Sequence, residues 1–265
     1  MKKILFVCDE HHYPQGAFEW IRELRKQEHL SVKGLFFKAP AITTATRHPA
    51  AGKEDLPHFS NQDTAQFMDQ CRNSDISSHT VEKSNTEWQK AFWEHESRYA
   101  DLLIFSQELL YAGTAAHQPN GYMQQLLRWA NCPVLAVPEN TGAPEQLLVA
   151  YDGSPQSMHA LKQCCLLFPQ YGQLPVRIAY VKEEDSDHIP HLQLLTEYAH
   201  AHFTDVKILK LHWDSDKHFS TWVECFRNPL LITGAFGRSA LSTSFKESFV
   251  TKIITDHVAP VFIAH

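Results

Sequence analysis

The stretch Leu102 to Pro138, which opens LLIFSQ and closes NCPVLAVP, is echoed by Leu230 to His265, which opens LLITGA and closes VAPVFIAH. The two superpose without a gap, placing Ser106 on Thr233, Tyr122 on Phe249 and Pro133 on Pro260. A period this long points to duplication of a whole folding unit, since solenoid repeats recur every 20 to 50 residues or so. The openings of the two halves agree as well. KKILFVCDE is a short apolar strand ending at Asp9, and EQLLVAYDGS is another ending at Asp152. A chain of 265 residues accommodates two units of ordinary domain size. The expected units are residues 1–139 and 145–265, joined by PENTGAPEQ (Pro138 to Gln146), whose Pro, Gly and Asn punctuate the chain.

Within the second half, apolar strand-like runs alternate with helical patterns. Leu147 to Tyr151 predicts a strand; Ser154 then predicts an N-cap with Pro155 at the first helical position, followed by Met158, Leu161, Cys165 and Phe168 on one face. VRIAYV predicts a strand and HLQLLTEYAHAHF a helix with Leu192, Leu195, Ala199 and Phe203 inward. The pattern continues with the strand VKILKLHW and the helix HFSTWVECF, with Phe219, Trp222, Val223 and Phe226 inward. It closes with the strand PLLITG, the helix SFVTKIIT and the strand PVFIA. In the first half, Phe18, Ile21 and Leu24 mark a helix, VKGLFF a strand, and Trp88, Phe92, His95 and Tyr99 a later helix. Ala39 to Asn61, polar and rich in proline, reads as a mobile excursion. Alternation of this kind requires crossover connections, so the expected fold is α/β: two tandem, doubly wound, five-stranded parallel-sheet units.

The stretch ITGAFGRSALSTSFKES (Ile232 to Ser248) carries the strongest chemical signal. Gly234 and Gly237 allow the backbone to approach a ligand closely, and the helix expected to start near Ser248 presents unpaired amides toward an anion. Glu247 works against this, because a carboxylate 4 to 6 Å from a phosphate costs about 1 kcal/mol in water and more in a partly dry cleft. Arg238 or Lys246 would offset that charge.

The tandem arrangement, the D-G-S turn after the first strand and the sequence GRSALS together resemble the universal stress proteins, specifically those with two such units in one chain. Many members of that family carry Gly, two residues, Gly, nine residues, Gly and then Ser or Thr after strand four. Here Gly234, Gly237 and Ser248 keep the spacing, and Glu247 replaces the last glycine. The resemblance implies a nucleotide-binding fold of the adenine nucleotide alpha hydrolase type, with ATP and Mg held by the second half. Asp152 would meet the nucleoside end and Val181 the base. Thr233, Gly234, Gly237 and Arg238 would line the phosphates, and Ser248 with the amide of Phe249 would close the cradle. It also implies that the two units pair through their sheet edges, and it leaves a further homodimer open. In the first half Gln107, Leu110, Asn120 and Gly121 take the places of Gly234, Gly237, Glu247 and Ser248, so no cradle is expected there. The competing reading is a nucleotide-independent protein-interaction module with a remnant loop.

Other classes find less support. A net charge of -6 without a dense Lys/Arg block argues against a nucleic-acid partner. No apolar run is long enough to cross a bilayer and the first residues lack the pattern of a signal peptide, so a cytoplasmic location is expected. The six cysteines have no C-x-x-C spacing and read as core thiols, and the seventeen histidines lack zinc-site spacing, so no metal site of the protein's own is expected. Neither a G-x-S-x-G elbow nor a Walker loop is present; slow ATP hydrolysis is the most that catalysis could amount to.

Overall fold

Runs such as Ile4 to Cys8 and Leu102 to Phe105 are apolar at every position, which suits strands covered on both faces. The computed structural model describes residues 1–9, 13–37, 61–83, 87–109, 121–180, 188–211, 216–234 and 249–264. The first half comprises β1 (Lys2–Asp9), α1 (Gln15–Arg25), β2 (Leu30–Phe37), α2 (Asn61–Asn73), β3 (Ser77–Lys83), α3 (Lys90–Arg98), β4 (Leu102–Ser106), α4 (Gly121–Trp129) and β5 (Val134–Val137). The second comprises β6 (Gln146–Tyr151), α5 (Pro155–Leu167), β7 (Val176–Tyr180), α6 (Leu192–His202), β8 (Val206–Lys210), α7 (Asp216–Glu224), β9 (Pro229–Thr233), α8 (Phe249–Thr255) and β10 (Val261–Ile263).

The strands form one sheet in the order β3-β2-β1-β4-β5-β10-β9-β6-β7-β8. Pairing is parallel within each half and antiparallel at the seam, where Val261, Phe262 and Ile263 face Ala136, Leu135 and Val134. Alternate strand residues feed two apolar layers. One gathers residues of α1, α2, α5 and α6; the other gathers residues of α3, α4, α7 and α8, and both run across the seam. On the first face Trp20 meets Tyr171 edge-on at 6.5 Å, Phe168 packs against Phe262, and Lys2 Nζ bonds the carbonyl of Leu167.

Several expected faces shift. In α3 the inward residues are Trp93 and Ser97, while Tyr99 is 62% exposed and His95 is exposed. Trp93 joins an aromatic group with Phe37 and Trp88, and Ser97 Oγ donates to Trp93 O and accepts from Asn131 N at 2.8 Å, which makes its burial inexpensive. Leu192 is 44% exposed at the start of α6, whereas Leu195, Ala199 and Phe203 are buried. Cys164 lies deeper than Cys165, and Met158, Trp222 and Phe226 are only partly buried. Among the cysteines, Cys225 is exposed, contrary to a core role. The helix α2 and the strand β3 add to the elements read from the sequence. Of the excursion Ala39 to Asn61, all but Asn61 lies outside the described residues.

Candidate functional site

Parallel pairing of β6 with β9 places Ala150 opposite Thr233, so Asp152 and Gly234 leave the sheet at the same edge. The chain must then turn from β6 into α5, and the D-G-S sequence supplies each part of that turn. Asp152 Oδ1 accepts from Ser154 N at 2.9 Å; Gly153 takes φ of +79°, a region that disfavours other residues. Ser154 caps α5, its Oγ accepting from Ser157 N at 3.2 Å, and Pro155 follows in the first turn. Pro190 covers the turn: a Cβ at Gly153 would lie 3.1 Å from its ring, and Tyr151 Oη donates to Pro190 O at 2.9 Å.

Gly234 is fixed by the tightest approach at this edge. A Cβ there would fall 2.3 Å from the carbonyl carbon and oxygen of Gln156 and 2.7 Å from Ser157 N, so only glycine lets β9 end against the first turn of α5. Thr233 is buried, and its carbonyl accepts from Ala264 N at 3.3 Å. The edge therefore brings together Asp152, Thr233 and Gly234. Gly237, Arg238, Ser248 and Val181 lie outside the described residues, as does the side chain of Phe249, the first residue of α8. Register adds two residues that motif reading passed over: Tyr180 and Lys210 end β7 and β8 in line with Tyr151, with Lys210 Nζ 5.9 Å from the Tyr180 ring centroid. Their only signal was that they fall within two expected strands, VRIAYV and VKILKLHW. Burial and then Asp152 raise the Tyr151 phenol, so it stays a neutral donor.

The corresponding edge of the first half is built differently. Asp9 ends β1 buried. Gln107, in the place of Gly234, is fully buried and donates through Nε2 to Ala136 O at 3.1 Å and to Ala259 O at 2.8 Å. Its Oε1 has no partner among the described residues. Glu139 Oε2 accepts from Gly16 N at 2.8 Å at the start of α1, and a Cβ at Gly16 would lie 2.8 Å from Glu139 O. The chain's own carboxylate thus occupies the amide-rich helix start.

Thiol chemistry is disfavoured at the buried cysteines of the first half. Burial, followed by Asp9, pushes the Cys8 thiol well up, and burial lifts Cys71 to about 11 and Cys132 to about 12. Among the described residues no three His, Cys, Asp or Glu side chains converge to hold a metal ion, and no helix is long and apolar enough to cross a membrane.

No family model matches the chain, and no curated protein matches its sequence. Solved structures do match its fold. A universal stress protein from Archaeoglobus fulgidus DSM 4304 aligns over 98% of this chain and 95% of its own, at 14% identity and a TM-score of 0.67. A protein of Pseudomonas aeruginosa UCBPP-PA14, described as a candidate universal stress protein, aligns over 99% and 92%, at 14% identity and a TM-score of 0.60. At such identities the match establishes a shared fold: the α/β architecture of the universal stress proteins, with a mostly parallel sheet flanked by helices, extends over nearly the whole of this chain.

Proposed function

We propose that this chain is a cytoplasmic binding protein of the universal stress type, and that its second half holds one adenine nucleotide, ATP with Mg, at the edge formed by β6 and β9. One observation carries this reading. Gly234 brings bare backbone against the first turn of α5 beside the Asp152 turn, at the carboxyl ends of parallel strands where open α/β sheets receive ligands. Asp152 would meet the nucleoside and Thr233 and Gly234 the phosphates, with Val181, Gly237, Arg238, Ser248 and the amide of Phe249 completing the cradle. Magnesium would arrive on the phosphates, since the described residues offer no three-ligand cage. The proposed activity is binding, not turnover.

The test is the mass of small molecules released from denatured protein, joined to calorimetric titration with Mg-ATP. The expected result is one nucleotide per chain, weakened at least tenfold by Asp152→Ala. No binding at millimolar Mg-ATP would overturn the reading, and binding gained only in Glu247→Gly would show a remnant loop. A nucleotide-independent interaction module would then take its place. Leu166 and Leu194 favour that second reading, being 70% and 64% exposed on the outer helices of the second half.

A further inference from the structure

The first-half residues that replace the cradle end up on the second half. Gln107 Nε2 is shared between two carbonyls, Ala136 O of its own half and Ala259 O across the seam. The neighbouring Glu108 is held by its surroundings: Ser106 Oγ donates to Oε2 at 2.6 Å and Glu139 N to Oε1 at 3.3 Å. From there Oε1 faces His257 Nδ1 at 3.5 Å. His257 ends α8 in a left-handed conformation, φ +52°, inside a turn closed by Val258 N to Ile253 O at 3.1 Å and His257 N to Ile254 O at 3.3 Å. Glycine is the usual residue at that position of such a turn. A histidine there gives up backbone ease and gains a side chain that reaches the first half.

The strand that follows this turn, β10, has three residues and is, among the described residues, the part of the second half that pairs along the backbone seam. We propose that Gln107 and Glu108 form a latch that the first half closes on the α8–β10 turn, so that side chains of one half keep the last strand of the other in the sheet. The ligand position of the first half has become a joint between halves. This inference does not depend on nucleotide binding.

Hydrogen–deuterium exchange on the full chain tests it with Gln107→Leu, which keeps the volume but removes both amide bonds, and His257→Gly, which suits the turn better but has no side chain to reach Glu108. The expected result is at least tenfold faster exchange in residues 258–264 for both variants, with residues 4–8 and 147–151 within twofold of the parent. Uniform acceleration across all three segments would make Gln107 an ordinary core residue and overturn the latch. So would exchange in 258–264 that stays within twofold of the parent in Gln107→Leu, or that slows in His257→Gly.

Discussion

The edge after β9 and the edge after β4 occupy corresponding places in the two halves and are built in opposite ways. After β9, Gly234 withdraws every side-chain atom so that two backbones can touch. After β4, Gln107 fills the same place with an amide that spans the seam, and Glu139 supplies an internal anion to the start of α1. One edge is closed by backbone against backbone, and the other by a side chain that reaches the other half. The residue in the place of Gly234 thus contacts the other half, through Ala259 O.

Replacing Gly234 sharpens this contrast most. Gly234→Ala forces a methyl group to 2.3 Å from backbone atoms that have little room to yield, and a loss of about 3 kcal/mol or more is expected in urea unfolding. The matching change Gly16→Ala meets Glu139 and Pro138 backbone at 2.8 to 2.9 Å, on a segment outside regular structure, so about 1 to 3 kcal/mol is expected. A larger loss at Gly16 than at Gly234 would reverse the assignment of the tighter edge.

Alkali probes whether the halves act as one. The buried thiols Cys71 and Cys132 keep their protons to about 11 and 12, whereas an unfolded chain releases them in the ordinary thiol range. The folded state then binds more protons than the unfolded one, so stability is intact at neutral pH and falls as pH rises above about 9, by up to about 1.4 kcal/mol per pH unit for each thiol. Both of these lie in the first half; a latched seam predicts that urea midpoints measured at pH 8, 9 and 10 move as a single transition, and a separate early loss of the first half would break the picture. Ser154→Ala should cost about 1 kcal/mol by removing the cap of α5, with no counterpart in the first half, where Pro14 precedes α1 without a side-chain cap. The smallest effect is chemical: a thiol reagent at pH 8 should label Cys225 quickly and the buried Cys8, Cys71, Cys132 and Cys164 slowly, counted by mass.

Much of the architecture was legible because the strands of a parallel sheet are apolar throughout and the helices between them are periodic. In the β6–α5 turn the cap Ser154 and the first-turn Pro155 were legible, whereas the bond from Ser154 N to Asp152 and the positive φ of Gly153 emerged only in the fold. The strand β3 was hidden because it is an edge strand, Ser77 to Lys83, whose mostly polar side chains carry little apolar signal. The register of α3 was missed because its inward row includes Ser97, whose partners lie in α3 itself and at Asn131. At the candidate site, the family resemblance named Asp152, Thr233 and Gly234, which the pairing of β6 with β9 brings to one edge; the packing of Gly234 against α5 was not legible in the sequence. The joint at Gln107 and Glu108 depends on contacts about 150 residues away in the chain, with Ala259 and His257, which no local pattern encodes.

The central place of β10 in the sheet also governs the order of events at the ribosome. The first half is complete once β5 has emerged, but its neighbour at Val261–Ile263 follows more than a hundred residues later. At about 5 to 20 residues per second, the edge Val-Leu-Ala-Val waits roughly 6 to 25 s without its partner. Through that interval it is an uncharged strand edge able to pair with any other nascent chain, so its protection is a matter of timing and of whatever shields it during synthesis.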